Sequence, residues 1–257
     1  VAGETVENKD NAEVSSMILY GKPVADALRE QYAERIEAMA RKRTLTVIRD
    51  ETEDKRYLAA IQREAEKWKA HVVYAASAIN AAQKGACRVI DIRREPQPMI
   101  SFVAVDGQDN WGQLQAYRGV LCESTACTAE AIIRMLDYYN IPIEGKHAVV
   151  IGRSDRVGKP TAMLLLARDA TVTVCHSKTD RAKLIGQVGS ADIVVCASGQ
   201  KGLLDWTWVT RGCTVINVGG DYDTDGYEEY DAGLNLIPFK GGVGPVTTAV
   251  LMSHVLM

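Results

Sequence analysis

Residues 148–160, AVVIGRSDRVGKP, constrain the fold of this chain more than any other stretch, because strand, glycine turn and helix start follow one another without a break. Ala148, Val149, Val150 and Ile151 form a short apolar run rich in β-branched residues, which suits a strand buried on both faces of a parallel sheet. Gly152 follows at once, Gly158 comes after five intervening residues, and residues 161–166, TAMLLL, continue as a helix able to pack back on the sheet. A turn of this kind gathers unpaired backbone N–H groups and the positive end of a helix dipole at one spot, which makes an anion site suited to a dinucleotide pyrophosphate. The spacing departs from G-x-G-x-x-G, with Ser154 where that pattern has a glycine, and a βα turn without a ligand is the alternative reading.

The next strand, residues 171–175, ends in His176-Ser177-Lys178-Thr179. About twenty residues past the glycine turn, NAD-binding units place an acid on the ribose 2′-OH. Here no acid comes before Asp180, and Arg153, Ser154, Ser177 and Lys178 can instead receive a 2′-phosphate, which favours NADP over NAD.

The rhythm continues downstream, with strands expected at 148–151, 171–175, 193–197 and 214–218 and helices at 158–168, 180–187 and 205–209. Four strands with crossover helices predict an α/β fold with a doubly wound parallel sheet. The first 125 residues also read as α/β, with helices at 24–39 and 55–69, strands at 45–48, 71–75 and 89–92, and a loop over 97–112. Thr128 is the expected N-cap of a helix over 129–139, and a glycine loop at 241–245 leads into a final helix over 246–256.

A formal charge of −3 gives no reason to expect a nucleic acid or an anionic membrane as partner, and no apolar run reaches the length of a membrane span. The opening VAGETVENKD resembles neither a secretory signal nor an Arg-rich transit peptide. The six cysteines form no C-x-x-C pair and lie in apolar surroundings, so reduced thiols and a cytoplasmic compartment are expected. The four histidines have no metal-ligand spacing, and no metal is expected.

Taken in order, EGKHAVVIGRSDRVGKPTAMLLL (144–166), ATVTVCHSKT (170–179), ADIVVCASG (191–199) and GGVGPVTTAVLM (241–252) resemble the methylenetetrahydrofolate dehydrogenase/cyclohydrolase family. The resemblance implies two domains: an N-terminal α/β folate domain (1–127 with 245–257) and a Rossmann-type NADP domain (128–244), with a C-terminal helix returning to the first. It implies oxidation of 5,10-methylenetetrahydrofolate by hydride transfer to NADP, then hydrolysis of the methenyl product, and a homodimer formed through the dinucleotide domain. The segment from Gly219 to Gly233, which bears on that interface, is short here.

Residue by residue, Tyr57 stands where the family has its active-site tyrosine, with a core tyrosine as the alternative reading. Asp106, in Val105-Asp106-Gly107, matches the family's VDG aspartate, whose oxygens can accept the ring N–H and amino donors of a pterin; a bare Asp-Gly turn is the alternative. Gln97 matches the family's glutamine before a proline-rich loop. Gly152, Arg153, Ser154, Val157, Gly158, Ser177 and Lys178 would hold the cofactor, and Gly241, Gly242, Gly244 and Pro245 would form the loop beneath nicotinamide and folate. The chain has Pro238-Phe239-Lys240 where the family usually has Pro-x-Pro, and Ala126-Cys127-Thr128-Ala129 for its P-C-T-P.

The chemical break lies on the tyrosine helix. The family pattern Tyr-x-x-x-Lys places both side chains on one face, whereas here the fourth residue after Tyr57 is Ile61, which cannot exchange a proton. A dehydrogenase with weak or absent cyclohydrolase activity is therefore expected, and a lysine introduced at 61 would be partly buried beside Tyr57. A non-catalytic dinucleotide- or folate-binding paralogue and a Rossmann dehydrogenase of another small substrate remain as alternatives.

Overall fold

The computed structural model describes residues 17–38, 43–49, 55–77, 81, 88–92, 103–104, 106, 121, 125–221 and 233–257. They form two parallel sheets with helices packed around them. The first sheet contains β2 (Thr44–Ile48), β3 (His71–Ala75), β4 (Arg88–Asp91) and β5 (Val103–Ala104) in the order β3-β2-β4-β5. The second contains β1 (Met17–Ile18), β6 (His147–Ile151), β7 (Thr171–Cys175), β8 (Ile193–Cys196), β9 (Thr214–Asn217) and β10 (Asn235–Ile237) in the order β1-β10-β9-β8-β6-β7.

In the second sheet, β6 shows why a continuous apolar run becomes a central strand. Its alternate residues feed separate cores on the two faces, Ala148 and Val150 into one and Val149 and Ile151 into the other. On one side Ile151 is in register with Cys175 of β7, and on the other with Cys196 of β8, so the loops after these three strands emerge side by side.

The helices are α1 (Gly21–Gln31), α2 (Ala33–Ala38), α3 (Lys55–Lys67), α4 (Cys127–Tyr138), α5 (Gly158–Leu166), α6 (Arg181–Gly189) and α7 (Val243–Leu256). Almost all of α7 is buried, which fits a helix apolar around its whole circumference. It packs against α1, α3 and α4, and so returns to the first unit as expected. Its hydroxyls are absorbed locally: Thr247, Thr248 and Ser253 each donate to a backbone carbonyl one turn back.

Several expected bounds are corrected. The helix expected over 24–39 is two helices, because Tyr32 leaves helical dihedrals (φ −100°, ψ 6°) while its ring packs on Trp68 with centroids 5.7 Å apart. Val103–Ala104, expected within a loop, is a short strand paired with β4. The second sheet has six strands rather than four, because β1 and β10 are too short for apolar alternation to reveal. Met17–Ile18, which the expected division places in the first domain, hydrogen-bonds beside β10. The helix expected at 205–209 is one 3₁₀ turn, Trp206–Trp208, in which the Asp205 side chain accepts from the Thr207 N–H. The last helix starts at Val243, so Gly244 and Pro245 sit in its first turn.

Thr128 does not cap α4. The helix begins at Cys127 after Ala126, which makes no side-chain capping bond, and the Cys127 N–H donates instead to Asp106. Among the described residues four cysteines (127, 175, 196 and 213) are buried and form no disulfide with one another. None of the described helices is long and apolar enough to cross a membrane. Among the described residues no cluster of three metal-ligating side chains occurs.

Candidate active site

The glycine turn after β6 is held by its own packing. Gly152 has φ +126°, and a β-carbon there would lie 2.5 Å from the Ala197 carbonyl oxygen. A β-carbon on Gly158 would lie 2.3 Å from the Gly152 carbonyl oxygen. Both glycines are therefore required to fold the turn, whatever it binds. The Ser154 hydroxyl accepts from the Val157 and Gly158 N–H groups at 3.2 and 3.3 Å, so the first amides of α5 are already capped. The unpaired donors lie one step upstream: the N–H groups of Arg153, Ser154, Asp155 and Arg156 have no acceptor among the described residues. The open amides thus lie in the turn that precedes the helix rather than at the helix terminus.

Next to this turn, residues 176–179 close on themselves. The His176 N–H donates to Thr179 Oγ1 at 2.9 Å, the Thr179 N–H to the His176 carbonyl at 2.8 Å, and the Lys178 N–H to His176 Nδ1 at 3.1 Å. The tight turn leaves Ser177 and Lys178 exposed, on the loop that follows the strand paired with β6. Asp180, the first acid after that strand, accepts from the Ala182 and Lys183 N–H groups as the cap of α6, which occupies it locally. The donors present, exposed Arg153 and Lys178 with four open amides, suit a phosphate-bearing ligand.

The loops after β8 and β9 are tied together by Asp221, a residue the sequence reading did not single out. Its carboxylate accepts from the Ser198 N–H at 2.9 Å, the Gln200 N–H at 2.7 Å and the Ser198 hydroxyl. Its own N–H donates to Asn217 Oδ1 at 3.0 Å. An acid directly after Gly219-Gly220 was the available signal.

Glycines of the loop before α7 differ in purpose. Gly241 has φ +78°, and a β-carbon on Gly242 would lie 2.0 Å from the Pro238 carbonyl oxygen, so backbone geometry demands both. Nothing lies within 4 Å of the β-carbon position of Gly244, in the first turn of α7 beside Pro245, which leaves that glycine facing open space. This loop is stitched to the first helix, whose Gly21 N–H donates to the Gly241 carbonyl at 2.8 Å.

From the first unit come Tyr57 and Asp106. Tyr57 is in the first turn of α3, where burial, aided by the negative potential of Asp106, pushes its phenol well above the ordinary tyrosine range. It therefore stays protonated and able to donate a hydrogen bond. Asp106 is buried, with Oδ1 accepting from the Cys127 N–H at 2.8 Å and Oδ2 3.5 Å from Arg156 Nη2. Arg156 belongs to the glycine turn after β6, so one contact joins the candidate dinucleotide site to the candidate pterin acid. Sequence reading included Arg156 in the motif but gave it no role. Gln97 and Gly107 lie outside the described residues.

Ile61 shares the α3 face with Tyr57 but has no exposed surface and belongs to the core with Leu58, Ala65 and Trp68. The expected partial burial at this position is corrected to complete burial. Lys55 is exposed at the start of the same helix.

Residues 126–257 match the family model described as tetrahydrofolate dehydrogenase/cyclohydrolase, NAD(P)-binding domain. The bifunctional protein FolD of Shouchella clausii is 42% identical over 156 residues, 58% of this chain and 54% of that protein. The chain thus spans about half the length of the curated relatives it matches. Two solved structures share the fold. The methylenetetrahydrofolate dehydrogenase-cyclohydrolase (FolD) of Trypanosoma brucei, complexed with NADP and inhibitor, superposes with a TM-score of 0.80 at 24% identity, covering 94% of this chain and 96% of that one. The bifunctional FolD of Campylobacter jejuni gives 0.78 at 25% identity, covering 94% and 97%.

Proposed function

The chain belongs to the tetrahydrofolate dehydrogenase/cyclohydrolase family, and on that premise we propose that it oxidises 5,10-methylenetetrahydrofolate to 5,10-methenyltetrahydrofolate with NADP as the acceptor, and hydrolyses the product weakly or not at all. One observation carries the reading: the Arg156–Asp106 contact, which draws the glycine turn of the second sheet against the acid of the first unit. A hydride donor and its acceptor react only when held in contact, and two binding sites sharing an edge provide that placement. Bound NADP would supply the hydride-accepting ring, and the protein's part is to hold and orient.

The turn amides of residues 153–156, with Arg153, Ser177 and Lys178, would take the phosphates, and Ser154 and Val157 would keep the turn in shape. Asp106 would accept the ring donors of the pterin, and Tyr57, held protonated, would offer a donor beside it. Gly244, open where a side chain would stand, leaves room for the rings to approach, with Gly241, Gly242 and Pro245 shaping the loop. Gln97 joins the proposal from the family pattern. Hydride transfer asks no side chain for a proton, whereas hydrolysis does, and the buried Ile61 offers neither donor nor acceptor. The same reading places the folate domain at 1–127 with 245–257 and the dinucleotide domain at 128–244. It adds a homodimer in the cytoplasm, a reducing compartment that fits four buried cysteines outside any disulfide.

The test is Asp106→Asn, which keeps the shape but turns one acceptor into a donor facing the ring's own donors. Tetrahydrofolate affinity is expected to fall by about tenfold to a hundredfold while NADP affinity stays near that of the wild type. Equal tetrahydrofolate affinities in calorimetric titration would reduce Asp106 to a structural cap on α4.

A further inference from the structure

Strand order in the second sheet gives a bound dinucleotide a direction. From one edge inward the order is β7-β6-β8-β9-β10, and the chain runs from β6 out to β7 before crossing back to β8 on the other side of β6. The crevice of such a sheet opens where the order reverses, here between the loops that leave β6 and β8. Ser177 and Lys178 follow β7, and the open amides of residues 153–156 follow β6. A dinucleotide with its 2′-phosphate on the first pair and its pyrophosphate on those amides has its nicotinamide end directed toward the loops after β8, β9 and β10.

Asp221 holds these three loops in contact. It has no exposed surface, and its two carboxylate oxygens take three donors from residues 198–200. Oδ2 accepts from the Ser198 N–H at 2.9 Å, and Oδ1 from the Gln200 N–H at 2.7 Å and from the Ser198 hydroxyl. The fit has no slack, since a β-carbon on Gly219 would lie 2.6 Å from Gly199 N and 2.8 Å from Asp221 Oδ2. The β-carbon position of Gly220 is 3.7 Å from the Phe239 ring, on the loop after β10. On the far side, the Ala197 carbonyl closes against Gly152 of the glycine turn. A residue needed only to fill the end of the sheet could be apolar, whereas a buried carboxylate with three bonds to one short loop fixes where that loop stands.

We propose that Asp221 is a positioning residue for the nicotinamide half of the cofactor, holding residues 198–200 as the wall against which that half seats. The inference rests on the reading of the second sheet as the NADP unit, and it gives a task to a residue outside the glycine motif.

Its test separates the two halves of the ligand. A loop released from Asp221 stands in its seating position only part of the time, and the affinity of any ligand that needs it falls by that fraction. Asp221→Asn keeps the volume but turns one acceptor into a donor, which must face either the Ser198 N–H or the Gln200 N–H. NADP affinity is expected to fall by about tenfold. Adenosine 2′,5′-bisphosphate, which has the 2′-phosphate and a phosphate for the turn but no nicotinamide, should keep its wild-type affinity within about twofold.

Ser198→Gly keeps the test readable if the asparagine disturbs folding. It removes the hydroxyl bond, leaves both backbone bonds in place and frees the loop, so the same asymmetry should appear at about threefold. Titration calorimetry with NADP and with adenosine 2′,5′-bisphosphate measures these affinities, and circular dichroism checks the fold of each variant. If the two ligands weaken in equal proportion, or if neither weakens in a folded variant, Asp221 serves the sheet alone and the inference is overturned. Wild-type protein that binds neither ligand overturns the NADP reading itself, a result distinct from wild-type binding that the variants leave symmetric.

Discussion

The two units build their halves of the site by different means. In the second sheet, β6, β8 and β9 are sealed on both faces, and the loops that leave them are fixed by backbone: Gly152 against Ala197, Gly158 against Gly152, Asp221 across two loops. In the first unit β2 and β4 are buried, but β3 alternates between exposed and half-buried residues. Its key acid, Asp106, is held by bonds to residues far along the chain, Cys127 and Arg156. Backbone contacts cannot be adjusted without breaking the turn, whereas side-chain contacts can be retuned one at a time. On the proposed reading, this difference would let the cofactor half keep its motif while the substrate half carries Ile61 at the position the family pattern gives to lysine.

The strongest way to break the comparison is Gly158→Ala. The added carbon meets a backbone carbonyl that cannot swing aside, so a loss of about 4 kcal/mol is expected, read as a fall in the midpoint of denaturant unfolding. Gly244→Ala, with open space around it, should leave that midpoint unchanged while weakening ligand binding. Equal midpoints for Gly158→Ala and wild type would remove the claim that backbone fixes this turn.

Ile61→Lys probes the other half. The position has no exposed surface, so an unpaired ammonium there should cost about 3 kcal/mol or more, and the variant's folding must be checked by circular dichroism before its hydrolase activity is read. A fully stable variant would show that α3 can shift to expose position 61.

The same contrast explains what could be read from residues alone. The buried run at β6 and the glycine turn after it were legible, because a strand sealed on both faces must be continuously apolar and its turn needs glycine where side chains do not fit. The burial of Ile61 was not. Helical spacing puts Tyr57 and Ile61 on one face but does not say where along that face the core begins. Nor was the second role of Asp106, since a bond to a residue twenty-one positions away leaves no local trace. Ser154 was legible as a phosphate-compatible residue but not as a cap: its oxygen accepts from the turn's own amides, and its O–H is still available to donate.

A smaller effect sharpens the cofactor half. Arg153→Ala removes an exposed cation from the site proposed for the 2′-phosphate and should raise the KM for NADP by about tenfold, with little change for NAD. Equal catalytic efficiency with both dinucleotides, in wild type and variant alike, would contradict the preference.

The smallest concerns acid stability of the first unit. Burial pushes the Glu64 carboxyl up, but bonds from Arg29, Lys67 and Trp68 hold it below the ordinary range. Its folded pKa is depressed, so its contribution is present above the ordinary glutamate range and is lost as pH falls through the folded value. Glu64→Gln should therefore cost about 1 kcal/mol near neutrality and progressively less in acid, measured as unfolding free energy against pH. A constant difference across the range would mean that the glutamate's packing, not its charge, matters.

The most direct test of the central claim follows both products of one reaction. With 5,10-methylenetetrahydrofolate and NADP, the account predicts reduced nicotinamide and methenyltetrahydrofolate accumulating in equal amounts, the methenyl product then decaying no faster than in buffer. Protein that binds both ligands yet forms no reduced nicotinamide would contradict it.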